Sequence, residues 1–389
     1  MPFDALFVPA DLREALSDSA WLSALLAAER ALASAEAELG VIPAAAADAI
    51  SAAAVPERYD AEVLAEEGRS AGNPAEPLVR ALRAEVAGDA APYVHWGATS
   101  QDIMDTAAVL VAGRARELVD AEVAGVAAAC ARLADEHRAT VLAARTLLQQ
   151  ATPTTFGLKA AGWLVAVLRA RASLRRVELP VQLGGSSGTL AALGGRGLDV
   201  LQVYARELAL PQPTVPWHTA RLPFAELGSA LWILAGVVDK IALDLILLAQ
   251  TEVGEVREPA DGRSSTMPHK RNPVRSTLAR ACARRGAAAA ALLPASLVQE
   301  HERAAGAWHA EWGALVDALA FTGAATSWLR QALDGLEVDT ERMRANIRAE
   351  TLSEAERFGS EVSAPEDYLG VASAFVDRAL ARYRADDNG

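Results

Sequence analysis

Apolar side chains recur every three or four residues at Leu227, Leu231, Leu234, Val238, Ile241, Leu245 and Leu248, the spacing that lines one face of an α-helix. This stripe predicts a helix over about 223–252. Similar patterning predicts four more over about 106–138, 155–178, 274–298 and 304–334. An earlier helix is announced by Ser17-Asp18-Ser19, good N-cap residues, and runs through Trp21, Leu25 and Leu32 until Gly40 stops it. The pattern starting at 274 follows Asn272-Pro273, which reads as an N-cap and then a proline at the first helical position. Helices this long point to an elongated bundle. Their Ala/Leu seams exceed what one chain can cover, so several copies are expected to associate.

Composition supports an all-α chain. Hydrophobic residues make up 52% but aromatics only 5% of the 389 residues, and Ala and Leu, the bulk of the apolar content, are strong helix formers. The stripe at 227–249 is interrupted by Asp239, Lys240 and Asp244, which suits a bundle helix and not a membrane span. A net charge of −13 argues against nucleic acid or an anionic membrane as partner. The two cysteines, Cys130 and Cys282, are far apart, which excludes a disulfide framework or a cysteine zinc site and fits a reducing cytoplasm. The start, Met1-Pro2-Phe3-Asp4, does not read as a signal peptide.

Polar segments marked by Gly and Pro separate the helical patterns at 93–105, 143–156, 181–197 and 257–273, and these loops are where chemistry is expected. The run Gly262-Arg263-Ser264-Ser265-Thr266-Met267-Pro268-His269-Lys270-Arg271-Asn272-Pro273 gathers hydroxyls, basic groups and an amide without apolar periodicity. It reads equally as a loop closing on an anion and as a solvated loop before a helix. His218 with Arg221 offers a contact for a carboxylate, and Arg303, in Glu300-His301-Glu302-Arg303, is either substrate-facing or part of a charged helix start. A zinc-protease reading of His301-Glu302 fails because position 305 is Ala305. The Gly184–Thr189 run lacks the lysine of a phosphate loop and reads as a turn allowing close packing. Trp308, Trp312 and Trp328 read as core.

The string from Ser264 to Pro273 resembles the signature loop of the fumarase/aspartase superfamily. His95-Trp96-Gly97-Ala98-Thr99-Ser100-Gln101-Asp102 resembles that family's first region, and Thr146 to Gly157, with Gln149 and Pro153-Thr154-Thr155, resembles its second. Within the superfamily the likeness is greatest to the bacterial 3-carboxy-cis,cis-muconate cycloisomerases, on Gln149–Pro153, Pro216–Thr219, Met267–Val274 and Glu300–Trp308.

This resemblance implies a three-domain helical subunit (1–105, 106–335 and a shortened 336–389) whose central five-helix bundle assembles into a homotetramer with active sites shared between subunits. It implies a small anionic polycarboxylate substrate and neither metal nor cofactor. Ser264 is then the expected base beside a carboxylate, with Lys270 and His95 as further catalytic groups. Thr99, Ser100, Gln149, Ser265, Met267 and Asn272 are expected to bind substrate, and the reading of the residues themselves adds His218, Arg221 and Arg303. A serine hydroxyl needs strong stabilisation of its alkoxide to act as a base, which loop N–H groups and Lys270 would supply once water is expelled.

Two departures bear on the reaction. Superfamily members that expel an amine or hydroxide pair a histidine in the second region with a glutamate after the signature loop; here those positions read Leu147 and Thr277. Strongly basic leaving groups need a proton on departure, worth roughly 10²–10⁴-fold, whereas a carboxylate does not. The expectation is therefore a cycloisomerase that adds the substrate's own carboxylate to a conjugated double bond. A lyase with another weakly basic leaving group, such as one acting on nitrosuccinate, fits equally; a C–N lyase fits less well. Arg263, where relatives carry glycine, and the short link 346–366 are the further departures. An inert structural protein is the non-enzyme alternative, against which the intact Ser264, Lys270 and Asn272 argue.

Overall fold

The structure, a computed structural model, describes residues 3–259 and 270–387. Helix α1 (Asp18–Glu38) begins at Ser17, whose hydroxyl accepts the Ala20 N–H at 3.2 Å, and ends before Gly40 at φ 70°. Its buried face carries Leu22, Leu25, Leu26 and Leu32, but also two fully buried acids, Glu29 and Glu36. They are seven residues apart, two turns along one face.

The bundle consists of α2 (Ser100–Glu136), α3 (Phe156–Arg175), α4 (Leu222–Leu248), α5 (Val274–Ala295) and α6 (Ala307–Asp334), of 37, 20, 27, 22 and 28 residues. Helix α5 packs against α4 and α6, and α2 against α3 and α6. Small residues let these backbones meet: a Cβ on Gly286 of α5 would lie 2.8 Å from the Thr322 nitrogen of α6, and one on Gly228 of α4 would lie 2.7 Å from the Ala290 oxygen. All five expected long helices are present. No helix among the described residues is long and apolar enough to cross a membrane.

The differences lie at element ends and in the polar segments. Helix α2 starts at Ser100, six residues before the apolar pattern, because its first turns bury Gln101, Asp102, Asp105 and Thr106 in place of apolar groups. Pro273, not Asn272, holds the cap position of α5, and α6 begins at Ala307, after Gly306 at φ 123°. Glu300 to Arg303 therefore precede the helix and do not start it.

The segment 143–156, expected as a loop, is mostly a hairpin: β1 (Val141–Thr146) pairs antiparallel with β2 (Gln149–Thr155). A second short pair joins β3 (Val256–Arg257) to β4 (Glu337–Val338). Among the described residues the remaining regular structure is helical, in keeping with an all-α fold. The link 346–366 folds into short turns, including a helix at Ser353–Arg357, and packs on β2. Helix α7 (Ala372–Asp387) then lies against α3 and α2.

Candidate active site

One buried carboxylate organises the start of α2. Asp102 accepts the Thr99 N–H at 3.0 Å and the Gly184 and Gly185 N–H groups at 2.9 Å each, and its Oδ1 lies 2.6 Å from His218 Nε2. Two of these partners have to be glycine. A Cβ on Gly184 would sit 2.6 Å from His218 Cε1, and Gly185 has φ 67° with Gly97 oxygen 2.9 Å from its would-be Cβ. The Gly185 carbonyl in turn accepts Arg303 Nη2 at 2.6 Å. Thus 184–185 is more than a turn: it ties together the first region, the His218 segment and Arg303. Thr99 and Ser100 sit half-buried at the lip of this arrangement.

A second buried layer lies beneath. Arg221, 1% exposed, bonds Asp105 Oδ2 at 2.6 Å and Glu311 Oε2 at 2.7 Å, with Trp217 and Phe224 rings on its guanidinium. Burial alone would depress its pKa, but the two carboxylates outweigh this and raise it. Asp105 also accepts Trp308 Nε1 at 2.9 Å. The sequence offers His218 and Arg221 as contacts for a substrate carboxylate; here their polar atoms face Asp102, Asp105 and Glu311, because polar groups this deep must be paired within the fold. They form the floor of the site. Arg303 remains half-buried, its pKa lowered by burial.

His95 stands beside this cluster at φ 61°, a left-handed conformation uncommon outside glycine. Its Nδ1 lies 2.6 Å from Glu29 Oε1 on α1. Burial opposes the imidazolium, but the charge and hydrogen bond of Glu29, with the charge of Asp102, prevail and raise the His95 pKa.

The other recognised segments lie at the far end of the bundle. The hairpin follows the C-terminus of α2, and its tip is Leu147-Leu148, at φ 49° and 65° and 97% and 75% exposed. Gln149 is exposed beside it. Arg145 anchors the base through a two-pronged pair with buried Glu255, at 2.6 and 3.0 Å. Asn346 bonds the same carboxylate at 2.9 Å and its carbonyl accepts Gln150 at 2.8 Å, so the C-terminal link braces the hairpin.

Lys270 and Asn272 lead into α5, exposed and half-buried respectively. The α5 N-terminus is capped by Glu258, which accepts the Arg275 and Ser276 N–H groups at 2.9 Å each. Thr277, at the position of the absent glutamate, donates its hydroxyl to the Pro273 carbonyl at 2.7 Å. Ser264, Ser265 and Met267, with Arg263, lie outside the described residues. The ends of α2 and α5 meet the same end of α6: Arg132 donates to the Leu333 carbonyl at 3.1 Å and Arg275 to the Gln331 carbonyl at 2.8 Å.

Thirty-seven residues of α2 at 1.5 Å each separate the two ends by roughly 55 Å. One chain therefore gathers His95, Thr99, Ser100 and Arg303 at one end, and Gln149, Lys270 and Asn272 toward the other. Among the described residues, no group of three or more His, Cys, Asp or Glu is arranged to hold a metal ion. Sequence reasoning passed over Glu29, Asp102, Glu255 and Glu258. Asp102 had a signal, three residues after Thr99 in capping-box spacing; the others did not, since a buried acid looks like a solvated one in sequence.

Comparison with known proteins places this geometry. A lyase family profile matches residues 8–286. Nitrosuccinate lyase of Streptomyces davaonensis is 46% identical, over 96% of this chain and 82% of that protein. The 3-carboxy-cis,cis-muconate cycloisomerase of Bradyrhizobium diazoefficiens is 48% identical, over 87% of this chain and 77% of its own. The crystal structure of 3-carboxy-cis,cis-muconate lactonizing enzyme from Pseudomonas putida superposes with a TM-score of 0.93 at 38% identity, covering 99% of each chain. The chain belongs to the lyases of the fumarase/aspartase superfamily.

Proposed function

We propose that the chain is a cycloisomerase that converts 3-carboxy-cis,cis-muconate to a carboxymuconolactone. The observation that carries this reading is the likeness to 3-carboxy-cis,cis-muconate cycloisomerases in sequence and in structure. It agrees with the hairpin tip, where exposed Leu147 stands in the place of the imidazole used by amine- and hydroxide-expelling relatives, together with Thr277 in the place of its glutamate partner. Intramolecular addition needs no general acid on a leaving group. A substrate carboxylate oxygen bonds to one end of the conjugated double bond, and the electron pair moves to the carbon next to another carboxyl group. The resulting aci-carboxylate is held by Lys270 and Asn272 and takes its proton from Ser264 on that carbon, and solvent then returns a proton to the Ser264 alkoxide; the reverse reaction uses that alkoxide as base. Thr99, Ser100 and Gln149 hold the remaining carboxylates, with Ser265 and Met267 as further substrate-binding residues and Arg303 adding positive charge.

The site is assembled between copies, since roughly 55 Å of α2 separates its parts within one chain. A homotetramer built on the bundle would bring the two ends together, and the surface of α4 supports such assembly. Helix α4 exposes Trp232 and Ile233 to 55% and 44%, beside a groove of ≈ 970 Å³ between α3, α4 and α5. The division at 105/106 and 335/336 into three domains, and a cytoplasmic setting, belong to the same proposal.

A second reading, elimination of nitrite from nitrosuccinate, is favoured by the Streptomyces davaonensis relative, and Leu147 and Thr277 suit it equally. A substrate panel decides. Carboxymuconate should lose its conjugated absorbance on adding protein, while nitrosuccinate and aminosuccinates stay unchanged. Release of nitrite without action on carboxymuconate would replace the first reading with the second.

A further inference from the structure

The chain lacks the family's histidine–glutamate pair at positions 147 and 277, yet it holds a different pair of that kind at the start of α2. Glu29 is 1% exposed and the His95 side chain 13% exposed, with 2.6 Å between Oε1 and Nδ1. Glu29 reaches His95 from α1, a separate element 66 residues away in sequence. Its second oxygen, Oε2, is buried without a hydrogen-bond partner. A carboxylate left half-satisfied at this depth is costly, so the position is poorly explained by packing alone. On the other side of the ring, no described residue bonds Nε2. A carboxylate on Nδ1 with Nε2 left free is the arrangement that fixes one tautomer and orientation of a working imidazole.

We propose that Glu29 is a positioning residue, holding His95 as an imidazolium whose Nε2–H donates to a carboxylate of the substrate. The proposal rests on the polycarboxylate site described above. Groups facing the pair come from every neighbouring element. Asp102, on α2, adds negative charge that favours the imidazolium. Arg83, on the helix Ala75–Glu85, opposes it, while its guanidinium donates to the Val94 carbonyl at 3.1 Å. Glu36, on α1, is pushed up to about 9 by burial and by the charge of Glu29, and so is neutral at physiological pH. Tyr204, on the helix Gly197–Glu207, is fully buried, and burial raises its pKa, so it too is neutral. Glu29 is thus the contact that sets the charge and direction of the ring.

The sign follows. Activity that needs the imidazolium falls as pH rises through the raised His95 pKa, and removing the Glu29 charge moves that fall to lower pH. The experiment compares wild type, Glu29→Gln, Glu29→Asp, His95→Asn and the Glu29→Gln/His95→Asn double variant as assembled protein. Glu29→Gln should lower kcat/KM for carboxymuconate roughly 10–100-fold near neutrality and move its alkaline limb down by about one pH unit or more. Glu29→Asp should restore part of the loss. In the His95→Asn background, Glu29→Gln should add less than about twofold.

A titration of ¹³C-labelled histidine reads the same coupling without turnover. The His95 pKa should fall in Glu29→Gln, and the shift of its signal on adding tricarballylate should shrink. An unchanged His95 titration in Glu29→Gln, or an equal loss of activity with and without His95, overturns the proposal. If carboxymuconate is not a substrate, the tricarballylate titration still decides it: a His95 signal that ignores the tricarboxylate overturns it, and one that responds only while Glu29 is present supports it.

Discussion

Glu36 is an acid with no acid's work to do at neutral pH. Both carboxyl oxygens are buried without partners, and burial, helped by the charge of Glu29, pushes its pKa from 4.5 up to about 9. Below pH 4.5 the folded and unfolded chains both carry this proton, so the group does not tilt the balance. Above it the unfolded carboxyl ionises while the folded one does not, and stability falls by about 1.4 kcal/mol per pH unit until the folded pKa is reached. Glu36→Gln copies the neutral form. The variant should unfold at a higher temperature than wild type at about pH 8 and at nearly the same temperature at about pH 4. A gain of equal size at both values would show that Glu36 is not a neutral buried acid. Nothing in the sequence marks this residue: it sits in a helix with other charges, and its burial follows from how α1 meets its neighbours. The same holds for Glu29 and Glu255. The residues carrying the family likeness, by contrast, were legible because the chemistry fixes their types and spacing.

The hairpin shows why one element was missed while the helices were not. The α4 stripe repeats through 27 residues, so its period is unmistakable, and the same is true of α2 beyond its first turns. Strands β1 and β2 are six and seven residues long, without clean alternation, and their turn lacks the Asn-Gly or Asp-Gly that signals two positive φ angles. Leu147 and Leu148 adopt those angles regardless, at a cost of about 1–2 kcal/mol per residue. The double substitution Leu147→Asn/Leu148→Gly supplies the residues such a turn prefers and relieves that strain. The variant should resist denaturant better than wild type, yet turn over carboxymuconate more slowly, since the proposed assembly brings the apolar tip to the substrate. Greater stability with undiminished turnover would show that the leucines are tolerated there and not used.

At the scale of the whole molecule, the length of α2 separates the residues of the proposed site within one chain. His95 and Thr99 stand at the start of α2, while Lys270 and Asn272 lead into α5 toward the opposite end, roughly 55 Å away along the helix. Alanine- and leucine-rich seams gave the first hint of assembly from the sequence alone, but the separation of the candidate residues along α2 could not be read until the helices were placed. If each site takes its first region from one copy and its signature loop from another, two dead variants can repair each other. His95→Asn spoils one end and Ser264→Ala the other, and each homogeneous protein should fall by orders of magnitude in turnover. Co-expressed, they form mixed assemblies in which some sites draw an intact His95 from one copy and an intact Ser264 from its neighbour. Activity should then reappear, well above that of either variant alone, and only when both are made together or mixed after dissociation. Mixed assemblies that form, as shown by two different affinity tags eluting together, but stay as inactive as their parents would place both residues in a site that a single chain completes, and the division of labour along α2 would have to be abandoned.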